Sequence, residues 1–301
     1  MIKNINSNNM LHGVAWFILS LLIDNINDVI MKYLGFNIQA YEVVFFRFLF
    51  STLTLIPFIF YKKVAGSKPK MYVHLIRGLL LFSGIVTWCM GLGFVNITVA
   101  TEINFTIPIY ILVMATVFLK EKYSLIKLAA TVLGFIGTAI VINPSDADFN
   151  FFSLVLIASA FLFAALDVIN KKMVQEESTL NMLFYSGFFV MLFSAIPTIY
   201  VWSSPTIKDL ALLFILGITG NLILYCLLKS FKLVEISSVA PYRYIELTFS
   251  AAFGYIIFGE VPHITTIVGA IIIIFSTLLL IYETFLPKLA VNKIIIFFNK
   301  D

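Results

Sequence analysis

Charged residues are scarce in this chain of 301 residues. Asp, Glu, Lys and Arg make up 12% of the sequence, whereas an ordinary soluble domain carries about 25%. Two cysteines and three histidines are spread along the chain, so neither a disulfide framework nor a metal site is indicated. The sequence also lacks the glycine-rich phosphate loop of many ATPases and the HExxH and CxxC motifs. We therefore predict neither an enzyme nor a bound cofactor.

Apolar residues are abundant instead. They make up 61% of the chain, 31 of them are phenylalanine, and the mean hydropathy is +1.02. This composition is typical of an integral membrane protein, whose main partner is the lipid bilayer. The net charge of +4 does not indicate nucleic-acid binding, because the lysines lie in short connections between apolar runs.

Apolar runs of about 20 residues are long enough to cross a bilayer core of roughly 30 Å. Ten such runs predict an all-α membrane protein with ten transmembrane helices, and the connections are too short for a soluble domain. The predicted spans are 11–33, 41–61, 72–94, 98–119, 125–143, 151–170, 181–202, 208–232, 238–258 and 263–286.

The lysines between the spans predict the orientation. With the N-terminus inside, the inner connections carry eleven lysines and the outer ones only Lys32 and Lys208. Excess lysine marks the cytoplasmic side of a membrane helix bundle. We therefore expect both termini in the cytoplasm.

The chain repeats itself at an offset of about half its length. The pentapeptide DVIMK at 28–32 recurs as DVINK at 167–171, and Glu121 matches Glu260 at the same offset. Since each half holds an odd number of spans, the halves must cross in opposite senses, as in many secondary transporters. The predicted units are a first five-helix repeat at 1–147, a second at 148–287 and a short cytoplasmic tail at 288–301.

Two aspartates interrupt the first apolar run. Asp24 and Asp28 lie on one helix face, and a charge at a helix centre costs about 2.5–3.5 kcal/mol in lipid. Asp28 and Asp167 each precede a lysine by four residues, so Lys32 and Lys171 could form intrahelical ion pairs with them or latch opposing gates.

Asp24 has no such lysine, and Phe163 occupies its place in the second repeat. Because the carboxylate occurs in only one of the two repeats, we expect Asp24 to face a ligand.

The segment APYRYIEL at 240–247 is the second charged cluster. On a helix, Tyr242, Arg243 and Glu246 would share a face. The cluster is either a self-neutralising pair or a site where Arg243 binds a carboxylate and Tyr242 offers a ring to a cation.

Other polar and aromatic positions are weaker candidates. Arg47 is interpreted as a structural charge tied to a neighbouring helix, and Arg77, near a span end, as a side chain that reaches the membrane surface. Pro108 is predicted to kink the fourth span. The predicted substrate-binding residues are Asp24, Asp28, Trp88, Glu102, Asn104, Tyr225, Tyr242, Arg243 and Glu246, and the predicted gating or structural charges are Lys32, Arg47, Asp167 and Lys171.

The repeat of five helices and the FLKEK turn at 118–122 resemble the drug/metabolite transporter superfamily of the EamA type. NDVIMKYLG, EVVFFRF, LDVINKK and APYRYIEL resemble the S-adenosylmethionine uptake transporters of obligate intracellular bacteria. The resemblance implies import of S-adenosylmethionine across the bacterial inner membrane, in exchange for S-adenosylhomocysteine and by alternating access.

Two other readings stay open. One is an EamA-type exporter of amino acids or cationic drugs and metabolites, coupled to protons through Asp24 or Asp28. The other belongs to a different class, an intramembrane enzyme with these two carboxylates as an acid–base pair. The sequence offers no nucleophile or metal motif that supports this second reading.

Overall fold

The computed structural model describes residues 7–34, 38–61, 69–92, 94, 103–121, 124–142, 151–258, 264–265 and 267–280. Within these residues, ten helices of 12 residues or more follow one another along the chain. The structure confirms the predicted all-α fold with ten helices. Six of the described helices are long and apolar enough to cross a membrane by length and composition alone.

The helix bounds agree with the predicted spans to within a few residues, except in the fourth and ninth spans, whose α-helices begin at Ile107 and Ile245. The helices are α1 (Ser7–Leu34), α2 (Ala40–Tyr61), α3 (Met71–Leu92), α4 (Ile107–Phe118), α5 (Leu125–Ile142), α6 (Phe151–Met173), α7 (Thr179–Tyr200), α8 (Ile207–Leu233), α9 (Ile245–Phe258) and α10 (Ile267–Leu280).

The fourth span differs from the prediction at its start. Residues 103–104 are helical, 105–106 form a turn, and the helix resumes at Ile107, so the span is interrupted just before Pro108, which lies in the first turn of α4. Proline is tolerated there because the first amide groups of a helix have no intrahelical partner. The predicted span also includes 98–102, which lie outside the described residues.

Local sequence signals fix where two of the long helices begin. The Thr206 hydroxyl accepts a hydrogen bond from the Asp209 amide, and the Asp209 carboxylate accepts one from the Thr206 amide. This reciprocal cap satisfies two amides that would otherwise be unpaired at the start of α8. The Ser178 side chain accepts from the Asn181 amide in the same way at the start of α7.

Helix packing repeats between the two halves of the chain. α1 packs against α8 as α6 packs against α3, and α2 packs against α8 as α7 packs against α3. The contact of α1 with α9 likewise has its equivalent in the contact of α6 with α4. α2 and α7, which correspond to each other, also pack together. Helices of each half therefore pack against helices of the other half, and these contacts form the interface between the halves.

Small residues allow α2 and α8 to approach closely. A Cβ atom added at Gly217 would lie 2.8 Å from the Ser51 amide nitrogen and 3.0 Å from the Arg47 carbonyl oxygen. Both atoms belong to the α2 backbone, which cannot move aside as a side chain can. Close backbone approach at glycine is a common device for packing helices in membranes, and here it brings Arg47 against α8.

Charged side chains of the first half hold the segment between α8 and α9. The Glu121 carboxylate accepts hydrogen bonds from the amides of Ile236 at 2.9 Å and Ser237 at 3.0 Å. The Lys127 ammonium donates to Glu235 at 2.6 Å. These residues cap the short helical turn Ile236–Val239, which leads directly into the 3₁₀-helix Ala240–Tyr244. The glutamate of the FLKEK turn therefore helps to position the segment that carries Arg243.

Candidate substrate cavity

A cavity of about 220 Å³ lies where the two halves meet. Helices α1, α2, α3, α6, α7 and α8 contribute to its wall, together with the 3₁₀-helix before α9. Its charged lining residues are Asp24, Arg47, Arg77, Asp167 and Arg243. The charges that would be costly in lipid thus face a shared space inside the bundle.

Asp24 lies on this wall, one turn of α1 beyond Ser20, which also lines the cavity. The Asp24 carboxylate has no hydrogen bond or ion pair with any residue that the structure describes. The guanidinium groups of Arg47 and Arg243 are within electrostatic reach of it but do not touch it. A carboxylate in this position can form an ion pair with a cationic group of a ligand.

Asp167 and Arg243 bind each other across the wall. Arg243 Nη2 donates to Asp167 Oδ2 at 2.8 Å, and the two side chains are 17% and 9% exposed. The predicted intrahelical pair of Asp167 with Lys171 is therefore wrong. The Lys171 ammonium instead donates to the carbonyl oxygens of Phe231 and Val234, where α8 ends. The C-terminal end of a helix attracts cations because the last backbone carbonyls have no partner within the helix.

Arg77 belongs to the cavity wall and does not reach the membrane surface as its position in the sequence indicated. Its side chain is 1% exposed, and its Nε donates to Asn170 Oδ1 at 2.7 Å. Its Nη1 donates to His74 Nδ1 at 3.1 Å. Since a guanidinium can only donate, the proton of His74 lies on Nε2, which is 2.9 Å from Glu177 Oε1.

A surface ion pair continues this chain of contacts at the start of α3. The Lys70 ammonium lies 2.5 Å from Glu176 Oε2, and both side chains are about half exposed. The hydrogen bond from Lys70 lowers the pKa of the Glu176 carboxyl below its usual value. With His74 and Arg77, the pair ties the start of α3 to the connection between α6 and α7.

Neutral polar groups also line the wall. Ser51 Oγ donates to Asn221 Oδ1 at 2.7 Å, and Asn221 Nδ2 donates to the Ser51 carbonyl at 2.9 Å. This reciprocal contact joins α2 to α8. The sequence did not predict that Ser51, Asn221, Asn170 and Arg77 line a cavity. Single polar residues in apolar runs have no spacing that distinguishes a residue facing a cavity from one at a helix contact.

Three predicted aromatic residues lie elsewhere. Tyr225 stands edge-on to Trp16, with ring centroids 6.0 Å apart, because its neighbour Leu224 takes the cavity-facing side of α8. Tyr242 is 2% exposed and packs in the main apolar core. Trp88 packs against that core as well. None of the three is among the residues lining the cavity, so their predicted contact with substrate is not supported by their placement.

The remaining predicted site residues either lie away from the cavity or fall outside the described residues. Asn104 is half-buried, and Glu246 is half-buried in the first turn of α9; neither lines the cavity. Glu102 lies outside the described residues, as do the side chains of Asp28 and Lys32. The proposed pair of Asp28 with Lys32 therefore stays a prediction.

Comparison with known proteins matches the architecture. Residues 11–143 and 150–282 each match the EamA-like transporter family. The chain belongs to the EamA-like transporter family. Its two matched segments correspond to the two sets of helices whose contacts repeat across the bundle.

Individual relatives are similar over nearly the whole of this EamA-like chain. It is 45% identical over 274 residues to the S-adenosylmethionine uptake transporter of Rickettsia prowazekii (strain Madrid E), covering 91% of this chain and 93% of the relative. It is also 45% identical to the protein of that name from Rickettsia bellii (strain RML369-C), covering 93% and 96%. A solved crystal structure superposes with a TM-score of 0.77 at 15% identity, over 91% of this chain and 96% of the other. This likeness shows the fold.

The Asp167–Arg243 pair generates a prediction about stability. Asp167→Asn should destabilise the protein by up to about 3 kcal/mol, because Arg243 would be left in the wall without its carboxylate. The double variant D167N/R243Q should recover part of the loss. The midpoint of thermal unfolding of the purified chain in detergent measures both effects.

Glu176→Gln is a matched control, since it breaks an exposed ion pair with Lys70 and should change the midpoint little. An Asp167→Asn midpoint as close to wild type as that of the control would contradict a stabilising role for the pair.

Proposed function

We propose that this protein imports S-adenosylmethionine across a bacterial inner membrane in exchange for S-adenosylhomocysteine, by alternating access. Its cavity between the two repeats is the proposed binding site. Both termini are proposed to lie in the cytoplasm, on the strength of the lysine excess in the inner connections.

The single observation that carries this proposal is the carboxylate of Asp24. It faces the cavity without a protein partner in the described chain, in a family member that is 45% identical to S-adenosylmethionine uptake transporters. S-adenosylmethionine carries a permanent sulfonium charge and an ammonium group, and either cation would stabilise an unpaired carboxylate. The remaining wall also suits this ligand, since arginines can bind its carboxylate and the rings of Phe48 and Phe163 can pack against cation or adenine.

Alternating access is supported by the repeated packing. The helices that line the cavity come from both halves, and equivalent contacts occur on each side of it. Rocking of one half against the other would expose the same wall first to one side of the membrane and then to the other.

Uptake of labelled S-adenosylmethionine into cells expressing the chain tests the proposal. Uptake above that of empty-vector cells is expected, with competition by S-adenosylhomocysteine and little by methionine or adenosine alone. Asp24→Asn should reduce uptake at least about tenfold, because a charge-assisted contact contributes about 1.5–3 kcal/mol, and should leave membrane expression unchanged.

Asp209→Asn makes the same chemical change in the first turn of α8, away from the cavity, and should retain uptake. Uptake at the empty-vector level by the wild-type chain would contradict the proposed substrate. Normal uptake by Asp24→Asn would remove Asp24 from the binding site.

Exchange has an electrical consequence that can be measured separately. S-adenosylmethionine carries a net positive charge at neutral pH and S-adenosylhomocysteine carries none, so their exchange moves charge inward. A potential of 100 mV changes the free energy of moving one charge by about 2.3 kcal/mol. In proteoliposomes, an inside-negative potassium diffusion potential should therefore speed uptake against internal S-adenosylhomocysteine.

Uptake against internal S-adenosylmethionine is the control, because that exchange moves no net charge and should not respond to the potential. Equal uptake into vesicles with and without internal substrate would contradict exchange. A requirement for a pH gradient in place of internal substrate would favour proton coupling.

A further inference from the structure

The guanidinium of Arg47 is poorly matched by the protein around it. Its Nη1 lies 3.3 Å from the Met31 sulfur, a weak acceptor, and its central carbon lies 5.8 Å from the ring centroid of Phe48. Its Nε is buried and has no hydrogen-bond partner. No carboxylate that the structure describes lies within ion-pair distance of it.

The other cavity arginines have stronger acceptors. Arg243 is bound to the Asp167 carboxylate, and Arg77 donates to Asn170, His74 and the Met182 carbonyl, although Arg243 Nε and Arg77 Nη2 are also buried without a partner. A charged group taken out of water needs a counter-charge or strong acceptors. Among the described residues, Arg47 is therefore the guanidinium of the wall with neither a carboxylate nor an oxygen acceptor.

Arg47 packs one edge of its guanidinium against α8 and also lines the cavity. A Cβ atom added at Gly220 would lie 3.3 Å from Arg47 Nε and 3.4 Å from its Nη2, so the Gly220 backbone lies close to this edge, where Nε is buried. A guanidinium on a cavity wall can bind a carboxylate through charge-assisted hydrogen bonds.

Asp24 and Arg47 can serve opposite charges of one ligand. Arg47 contacts Met31, which lies seven residues beyond Asp24 on α1, and seven residues correspond to about 10 Å along a helix. Both residues line the same cavity. A ligand that reaches from one to the other needs a cation and a carboxylate at the two ends of a short chain, as in the methionyl arm of S-adenosylmethionine.

We propose that Arg47 binds the α-carboxylate of the substrate from the cavity wall. The inference rests on the proposed function and assigns one part of its site. It replaces two interpretations made from the sequence, that of Arg47 as a structural charge and that of Arg243 as the candidate for binding a carboxylate.

Decarboxylated S-adenosylmethionine is the probe, because it keeps the adenosine, sulfonium and amine and lacks only the carboxylate. The concentrations of unlabelled S-adenosylmethionine and of this analogue that halve uptake of labelled S-adenosylmethionine are measured in cells expressing the full chain. In the wild type the analogue should compete at least about tenfold more weakly. In Arg47→Gln the two compounds should compete equally, and Arg47→Lys should lie between because lysine lacks the two-nitrogen edge.

Gly220→Ala tests the same residue without replacing the arginine. Its methyl group would lie 3.3 Å from Arg47 Nε, so the guanidinium must shift, and the preference for the carboxylated compound should weaken. The double variant D167N/R243Q is the control: its uptake can fall, but its preference should match the wild type.

Wild-type preference in Arg47→Gln, or its loss in D167N/R243Q alone, would overturn the assignment. A wild-type chain that does not accumulate S-adenosylmethionine would contradict the proposed function instead, so the two failures are distinguishable.

Discussion

The cost of charge in a bilayer is the constraint on which this architecture depends. Five ionisable side chains on the membrane helices and the adjoining 3₁₀-helix line one cavity of about 220 Å³. Facing lipid, each would cost about 2.5–3.5 kcal/mol even on the lenient insertion scale, and together they would rival the whole stability of a typical protein. The helices therefore pack so that these groups face one another across a shared space. The same packing leaves a cavity between these groups, which is the proposed binding site.

The charged residues of the wall fall into two groups. Asp167 and Arg243 satisfy each other, and Arg77 is held by Asn170 and His74, so these groups connect helices. Asp24 and Arg47 lack such partners in the described chain. Glu121 and Lys171 bind the end of α8 and the segment that leads from it to Arg243.

The fold could be predicted from the sequence because the length of apolar runs is a local signal. The predicted span 41–61, for example, is the helix Ala40–Tyr61. The site could be predicted only in part. Helical spacing correctly placed Asp24 on an inward face, but the same rule assigned Asp167 to nearby Lys171, whereas its partner lies 76 residues away. Periodicity indicates which face a residue occupies and does not identify the helix that faces it.

The direct test of the central claim is an experimentally determined structure of the full chain with S-adenosylmethionine bound. The account predicts the ligand inside the cavity between the repeats, with a cationic group within about 4 Å of the Asp24 carboxylate, the range of an ion pair. A ligand bound elsewhere, with Asp24 paired to another side chain of the protein, would contradict it.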